Sequence, residues 1–184
     1  TGVIAAQTID WTALGALDTT NTSFDYYSGN MTGPGDLLIT MTKDLTINNV
    51  TTADGNITVQ NATQNLTING TVQAGNNAQS DVTLNLAGGS ITSNANASIA
   101  GSLLTVTANS SSSLNTDNIS LTANITGASQ TLTVNGTGGL EIAANDVVTN
   151  NGEVTITLTS GNLSGPGDIN AGTANVTLNA TDGN

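Results

Sequence analysis

From Gly29 onward, apolar and polar residues alternate in short bursts. The unit is an apolar-Thr-apolar triplet, found at Leu45-Thr-Ile47, Ile57-Thr-Val59, Leu66-Thr-Ile68, Val82-Thr-Leu84, Leu104-Thr-Val106, Leu132-Thr-Val134, Val154-Thr-Ile156 and Val176-Thr-Leu178. Period-two alternation sends successive side chains to opposite faces, so each triplet predicts a short strand with an apolar inner face and a hydroxylated outer one. Asn and Gly fill the gaps between triplets, the residue chemistry of tight corners. Read with every second triplet closing one turn, this pattern predicts an all-β parallel β-helix (β-solenoid) with coils of roughly 20–25 residues. Inward Val, Ile and Leu would stack coil upon coil, with Asn and Thr hydrogen-bonding along corners and faces. At about 4.8 Å per coil, roughly eight coils make a rod on the order of 40 Å long.

A β-sandwich is the alternative, since it also has short strands at close intervals. It would normally bury aromatics between its sheets, and residues 28–184 contain none. Hairpin dipeptides are also sparse, confined to sites such as Asp54-Gly55, Asn69-Gly70, Asn135-Gly136 and Asn151-Gly152.

One longer string recurs. Ser28-Gly-Asn-Met-Thr-Gly-Pro-Gly-Asp36 returns 132 residues later as Ser160-Gly-Asn-Leu-Ser-Gly-Pro-Gly-Asp168, with seven of nine positions identical and one of the two prolines in each copy. Proline fixes one φ and the glycines admit positive φ, so both copies read as the same turn before a strand. The finer coil repeat sets most of the fold, and this turn marks one special corner of a solenoid spanning 28–184. Residues 1–27 differ: they hold all four aromatics, Trp11, Phe24, Tyr26 and Tyr27. A terminal coil has no neighbour on one side, so 1–27 is expected to be a cap over the open core. The rival reading is an aromatic docking segment. Ala13-Leu14-Gly15-Ala16-Leu17 is expected to form a single helical turn. The chain begins at Thr1 without a signal peptide, which suggests a processed product or an excised piece.

Two strings carry a family resemblance: Asp44-Leu-Thr-Ile-Asn-Asn-Val-Thr-Thr-Ala-Asp-Gly-Asn-Ile-Thr-Val59, and the run from Gly138-Gly-Leu-Glu-Ile142 to Val154-Thr-Ile-Thr-Leu158. They resemble filamentous-haemagglutinin-type repeats, in texture over nearly all of 28–184. The resemblance implies a right-handed parallel β-helix from a large bacterial surface or secreted protein with adhesive or structural duties.

Charge narrows the partners. One cation, Lys43, stands against thirteen acids, for a formal net charge of −12. Nucleic acid needs several cations to neutralise phosphate, and an anionic membrane surface attracts basic segments, so neither is an expected partner. No apolar run approaches the roughly 18 residues of a spanning helix. Cysteine is absent, which removes disulfides and thiolate metal sites.

Catalysis is not expected either. There is no His for general acid–base work or a Ser-His-Asp triad, no Arg, and no acidic cluster recurring at coil spacing. No cofactor is expected. Calcium, which takes oxygen ligands, is the metal to consider, with Asp36 and Asp168 of the duplicated turn as candidates. The favoured reading is that these aspartates accept hydrogen bonds from their own turn.

Fifteen Asn-x-Ser/Thr sequons are candidate glycosylation sites: Asn21, Asn30, Asn49, Asn56, Asn61, Asn65, Asn69, Asn96, Asn109, Asn118, Asn124, Asn135, Asn162, Asn175 and Asn179. Strand alternation also generates them, because an Asn two residues before Thr shares its outward face.

Three readings of function follow. The first is a rod-like segment of an extracellular or cell-surface adhesin, its ligand unspecified. The second is a subunit that self-associates end to end into an extracellular filament or surface layer. The third is ice binding by a Thr-rich face. That would need Thr to align in every coil, and the irregular triplet spacing argues against it.

Overall fold

The computed structural model of the chain describes residues 8–22, 24–75 and 79–182. Those residues form an all-β solenoid of about eight turns, without a helix. Coil one carries β1 (Thr8–Ala13) and β2 (Leu17–Thr22), and coil two β3 (Tyr26–Pro34) and β4 (Leu37–Met41). Coil three has β5 (Leu45–Asp54) and β6 (Ile57–Asn61). In coil four the first side splits into β7 (Leu66–Ile68) and β8 (Thr71–Gln73), followed by β9 (Val82–Leu86). Coil five repeats the split with β10 (Ile91–Ser93) and β11 (Ser98–Ala100), then β12 (Leu103–Ala108). Coil six holds β13 (Ser112–Thr116) and β14 (Ile119–Ala128), and coil seven β15 (Leu132–Gly136) and β16 (Leu140–Asn150). Coil eight has β17 (Val154–Leu158) and two short pieces, β18 (Leu163–Ser164) and β19 (Ile169–Asn170). Finally, β20 (Val176–Ala180) begins another coil.

The strands sort into two sheets. The first runs β1-β3-β5-β7-β10-β13-β15-β17-β20, with β8 and β11 beside it, and the second runs from β2 through β4, β6, β9, β12 and β14 to β16 and its neighbours. Every pairing is parallel. That rules out the antiparallel sandwich, because parallel neighbours need a full coil of chain between them. Coil lengths vary more than the expected 20–25 residues. The step is 25 residues from Leu66 to Ile91 but 17 from Leu104 to Leu121.

The core sits between the sheets and is built from the inner residues of the triplets. Leu45, Ile47, Ile57, Val59, Leu66, Ile68, Val82, Leu84, Leu132 and Val134 are all buried. Buried hydroxyls at two corners are satisfied locally: Thr52 donates to the Gly55 carbonyl at 2.6 Å, and Thr149 donates to that of Gly152. Both corners need glycine. A Cβ on Gly55 would lie 1.8 Å from the Gly35 carbonyl oxygen, and one on Gly152 would lie 1.7 Å from that of Gln130.

Of the segment 1–27, residues 1–7 and 23 lie outside the described residues. Ala13–Leu17 does not form the expected helical turn. Ala13 closes β1, Leu17 opens β2, and the Leu17 N–H donates to the Asp36 carbonyl at 3.1 Å. A lone helical turn has little stability of its own, whereas the next coil supplies backbone partners.

The duplicated string does not fold twice into one turn. Its first copy runs along β3 in the first sheet before turning into β4, with Gly35 at φ 139°. The second lies on the other sheet, where Leu163–Ser164 forms β18 and the Gly-Pro-Gly segment leads to β19. There positive φ falls on Gly161 and Gly165, at 77° and 127°, which correspond to Gly29 and Gly33 rather than Gly35. Seven shared residues leave two conformations open, and the neighbouring coil selects between them. The coil, not the 132-residue interval, is the repeating unit.

Replacing Val134 or Ile57 with Asp would bury an unpaired charge between the sheets. Each variant is expected to lose the cooperative thermal transition seen by circular dichroism. A melting temperature equal to that of the unmodified protein would show that the wrong face has been placed inward.

Candidate functional surfaces

Corners carry the most regular chemistry. Where the chain enters a sheet, an Asx side chain reaches to the next coil and accepts a backbone N–H. Asp36 Oδ1 accepts from Asn56 N–H at 2.8 Å, and Asn56 Oδ1 accepts in turn from Asp81 N–H at 2.8 Å. Asp44 does the same for Asn65 at 2.8 Å, and Asn65 for Ser90 at 3.0 Å. Asn118 serves Gly139 at 3.0 Å, and Asp146 serves Asp168 at 2.8 Å.

In each case the residue after the Asx donates its own N–H to the carbonyl of that same upper residue. Leu37 donates to Asn56, Ile57 to Asp81, Leu45 to Asn65, Leu66 to Ser90, Ile119 to Gly139 and Val147 to Asp168. The result is a two-bond clasp between successive coils, present six times. It satisfies a corner N–H that has no strand partner, and leaving such a group unpaired costs about 1–3 kcal/mol where it is shielded from water.

The clasp changes the reading of the candidate aspartates. Asp36 accepts from the coil above, not from its own turn, because the vacant N–H lies there. Asp168 is a donor through its backbone, so the two are not equivalent. They sit six coils apart, about 29 Å along the axis at the usual strand spacing. Among the described residues no three Asp or Glu gather as they would around a metal ion.

The clasp also accounts for many sequons. An Asx at the corner is followed by the first inward residue and then the first outward one, which gives Asn56-Ile-Thr58, Asn65-Leu-Thr67 and Asn118-Ile-Ser120. Mid-strand, Asn124 and Thr126 share the exposed face across buried Ile125. Asn30, Asn49, Asn96, Asn109, Asn135, Asn162, Asn175 and Asn179 are also exposed, while Asn61 and Asn69 are half-buried. The side chain of Asn21 lies outside the described residues. Several amide nitrogens, where a glycan would attach, are engaged. Asn61 donates to the Gln64 carbonyl at 3.0 Å, Asn118 to Asp117 at 3.0 Å and Asn135 to Asn115 at 3.1 Å.

The outer face of the first sheet holds a feature that the sequence spacing argues against. Thr46, Thr67, Thr92, Ser113, Thr133, Thr155 and Thr177 occupy one register position in seven successive coils. Corners of unequal length absorb the irregular spacing, so the hydroxyls rank despite it. Two residues further along each coil runs a second rank: Asn48, Asn69, Asn94, Asn115, Asn135, Thr157 and Asn179. Its amides link along the axis, with Asn69 donating to Asn48 at 3.3 Å, Asn94 to Asn69, and Asn115 to the Asn94 carbonyl at 2.7 Å. On the second sheet the matching rank is shorter: Thr58, Thr83, Thr105 and Thr122. It is interrupted where the β14–β16 register jumps between Leu121 and Ala123.

A polar groove of about 530 Å³ follows the corner before the second sheet in coils five to eight. Gly101, Gly139 and Gly161 keep it open, and Ser120, Glu141 and Asn162 line it. The aromatic residues gather at the other end. Trp11 meets Tyr27 edge-on at 6.0 Å between centroids, and Phe24 lies 6.2 Å from Tyr27. Phe24 and Tyr27 are buried, Trp11 lies against Gly29, and Tyr26 is exposed. Burial pushes the Tyr27 phenol up to about 12, against the opposing effect of Thr19, whose hydroxyl it meets at 3.4 Å.

Set beside known proteins, the chain matches no protein-family model, no curated protein and no solved structure.

Two measurements test these surfaces. Asn56→Ala removes an acceptor from the corner and is expected to lower stability by about 1 kcal/mol in urea denaturation. Asn56→Asp, which copies the Asp36 and Asp44 corners, should lose much less. For Tyr27, the folded state holds the phenolic proton to higher pH than the unfolded chain does. Its stabilisation is therefore complete below about pH 10 and declines as pH rises toward about 12, by roughly 3 kcal/mol in all. Tyr27→Phe should flatten that decline, and an unchanged slope would place the ring in water.

Proposed function

We propose that the chain is a structural and adhesive rod, a segment of a large extracellular or cell-surface bacterial protein of the filamentous-haemagglutinin type. The observation that carries this reading is the uninterrupted stack: eight parallel steps along the first sheet, with a continuous core and clasped corners. Such a stack resists bending at every level and spaces whatever it carries, which suits a stalk. The acids support a structural and not a catalytic use, since Asp36, Asp44 and Asp146 each hold a backbone N–H of the next coil. Phe24 and Tyr27, with Trp11 beside them, close the first coils of the core and act as its cap. The exposed sequons suit an extracellular surface open to glycan addition.

A self-assembling filament subunit is the second reading. It is favoured by β20, where Val176 and Leu178 are 41% and 51% exposed beside a small apolar hollow lined by Ile156, Leu158 and Leu163. Electron microscopy of the purified protein at rising concentration separates the two. Single rods about 40 Å long at all concentrations are expected for the stalk segment. End-to-end polymers would instead establish the filament reading, and globular particles would overturn both.

A further inference from the structure

We propose that the outer face of the first sheet binds ice, by ordering water on its two ranks of uncharged side chains. This goes beyond the stalk reading and does not depend on it. Three observations carry it.

The first is regularity. Seven hydroxyls from Thr46 to Thr177 repeat at the strand spacing of about 4.8 Å, and the Asn rank runs beside them about 7 Å away, two residues along each strand. The second is availability. Among the described residues, no protein group bonds the hydroxyls of Thr46, Thr67, Thr92, Ser113, Thr133 or Thr177; Thr155 alone is engaged, to Glu153 at 3.3 Å. Their hydrogen bonds therefore go to water. The third is rigidity. From Thr46 to Thr155 the backbone beneath is paired in parallel on both sides, and the Asn rank is tied coil to coil by its amides from Asn48 to Asn135.

The hydroxyl rank, fixed in place and without protein partners except at Thr155, holds its water layer on its own lattice beside the tied Asn rank, and ice is the ligand that shares such a repeat. Other ligands fit less well. Neither rank offers a charge for an ion or an acidic polymer, and neither offers an aromatic ring to stack on a sugar.

The probe is ice itself, grown in solutions of the full chain and watched by cryomicroscopy for faceting and for a gap between melting and growth temperatures. The unmodified protein is expected to facet the crystals and hold their growth. Thr92→Lys and Thr133→Lys, which plant a long charged side chain in the middle of the rank, should abolish both effects while the circular dichroism spectrum stays unchanged. Thr83→Lys, at the matching position of the second sheet, should keep them. Round, freely growing crystals with the correctly folded protein would overturn the proposal. So would equal loss in all three variants, or none in any.

Discussion

The structure depends on what happens to one N–H at its corners. Within the sheets, parallel neighbours satisfy each other's backbone groups as a matter of course. At a corner the chain swings away, and the first N–H of the next coil would face nothing. At six corners an Asx side chain from the coil below meets it, and the following residue donates to the carbonyl of that same residue. Where it occurs, this reciprocal arrangement fixes where the strand restarts. Because it acts just before the first inward residue, it also fixes which face of the strand meets the core. Thr46, Thr58 and Thr67, each two residues past a clasping Asx, take their outward places from it.

Seen this way, the composition of the chain has a common cause. Asn and Asp supply corner acceptors, Gly allows one corner to lie directly on another, and β-branched residues fill strands that are narrow and stiff. A net charge of −12 is tolerated because the acids are spread along the length of the rod. At Asp36, Asp44 and Asp146 they stand where an acceptor is needed, next to a backbone dipole that favours negative charge.

Much of this was legible from residue order. The alternation at Ile57-Thr-Val59 or Leu132-Thr-Val134 states the inner and outer faces directly, and parallel stacking follows from the absence of hairpin rhythm and of a large aromatic core. Three things were hidden, for physical reasons. Coil length was blurred because Ser93 and Ser112 take inward positions that elsewhere belong to Val or Ile, so β10 and β13 lack the triplet. The role of Asp36 was misassigned because its partner lies 20 residues away, at a distance set by the coil and not by the turn. The alignment of the outer Thr rank does not show in the sequence, because spacing along the chain is not spacing in space. Corners of different length decouple the two, so Thr67 and Thr92 are neighbours across 25 residues, and Ser113 and Thr133 across 20.

The direction of the hydrogen bonds has a mechanical consequence. They run along the rod, from coil to coil, so a pull on its two ends loads the levels in series and not all together. Each level holds until its own bonds and its share of the core give way. A coil of about 20 residues pays out about 70 Å of chain when it peels off, many times the single strand spacing it occupied. Under tension such a rod would lengthen in discrete steps, one coil at a time, while the remaining coils kept their registry, acting as a reel of chain and not as a brittle spacer.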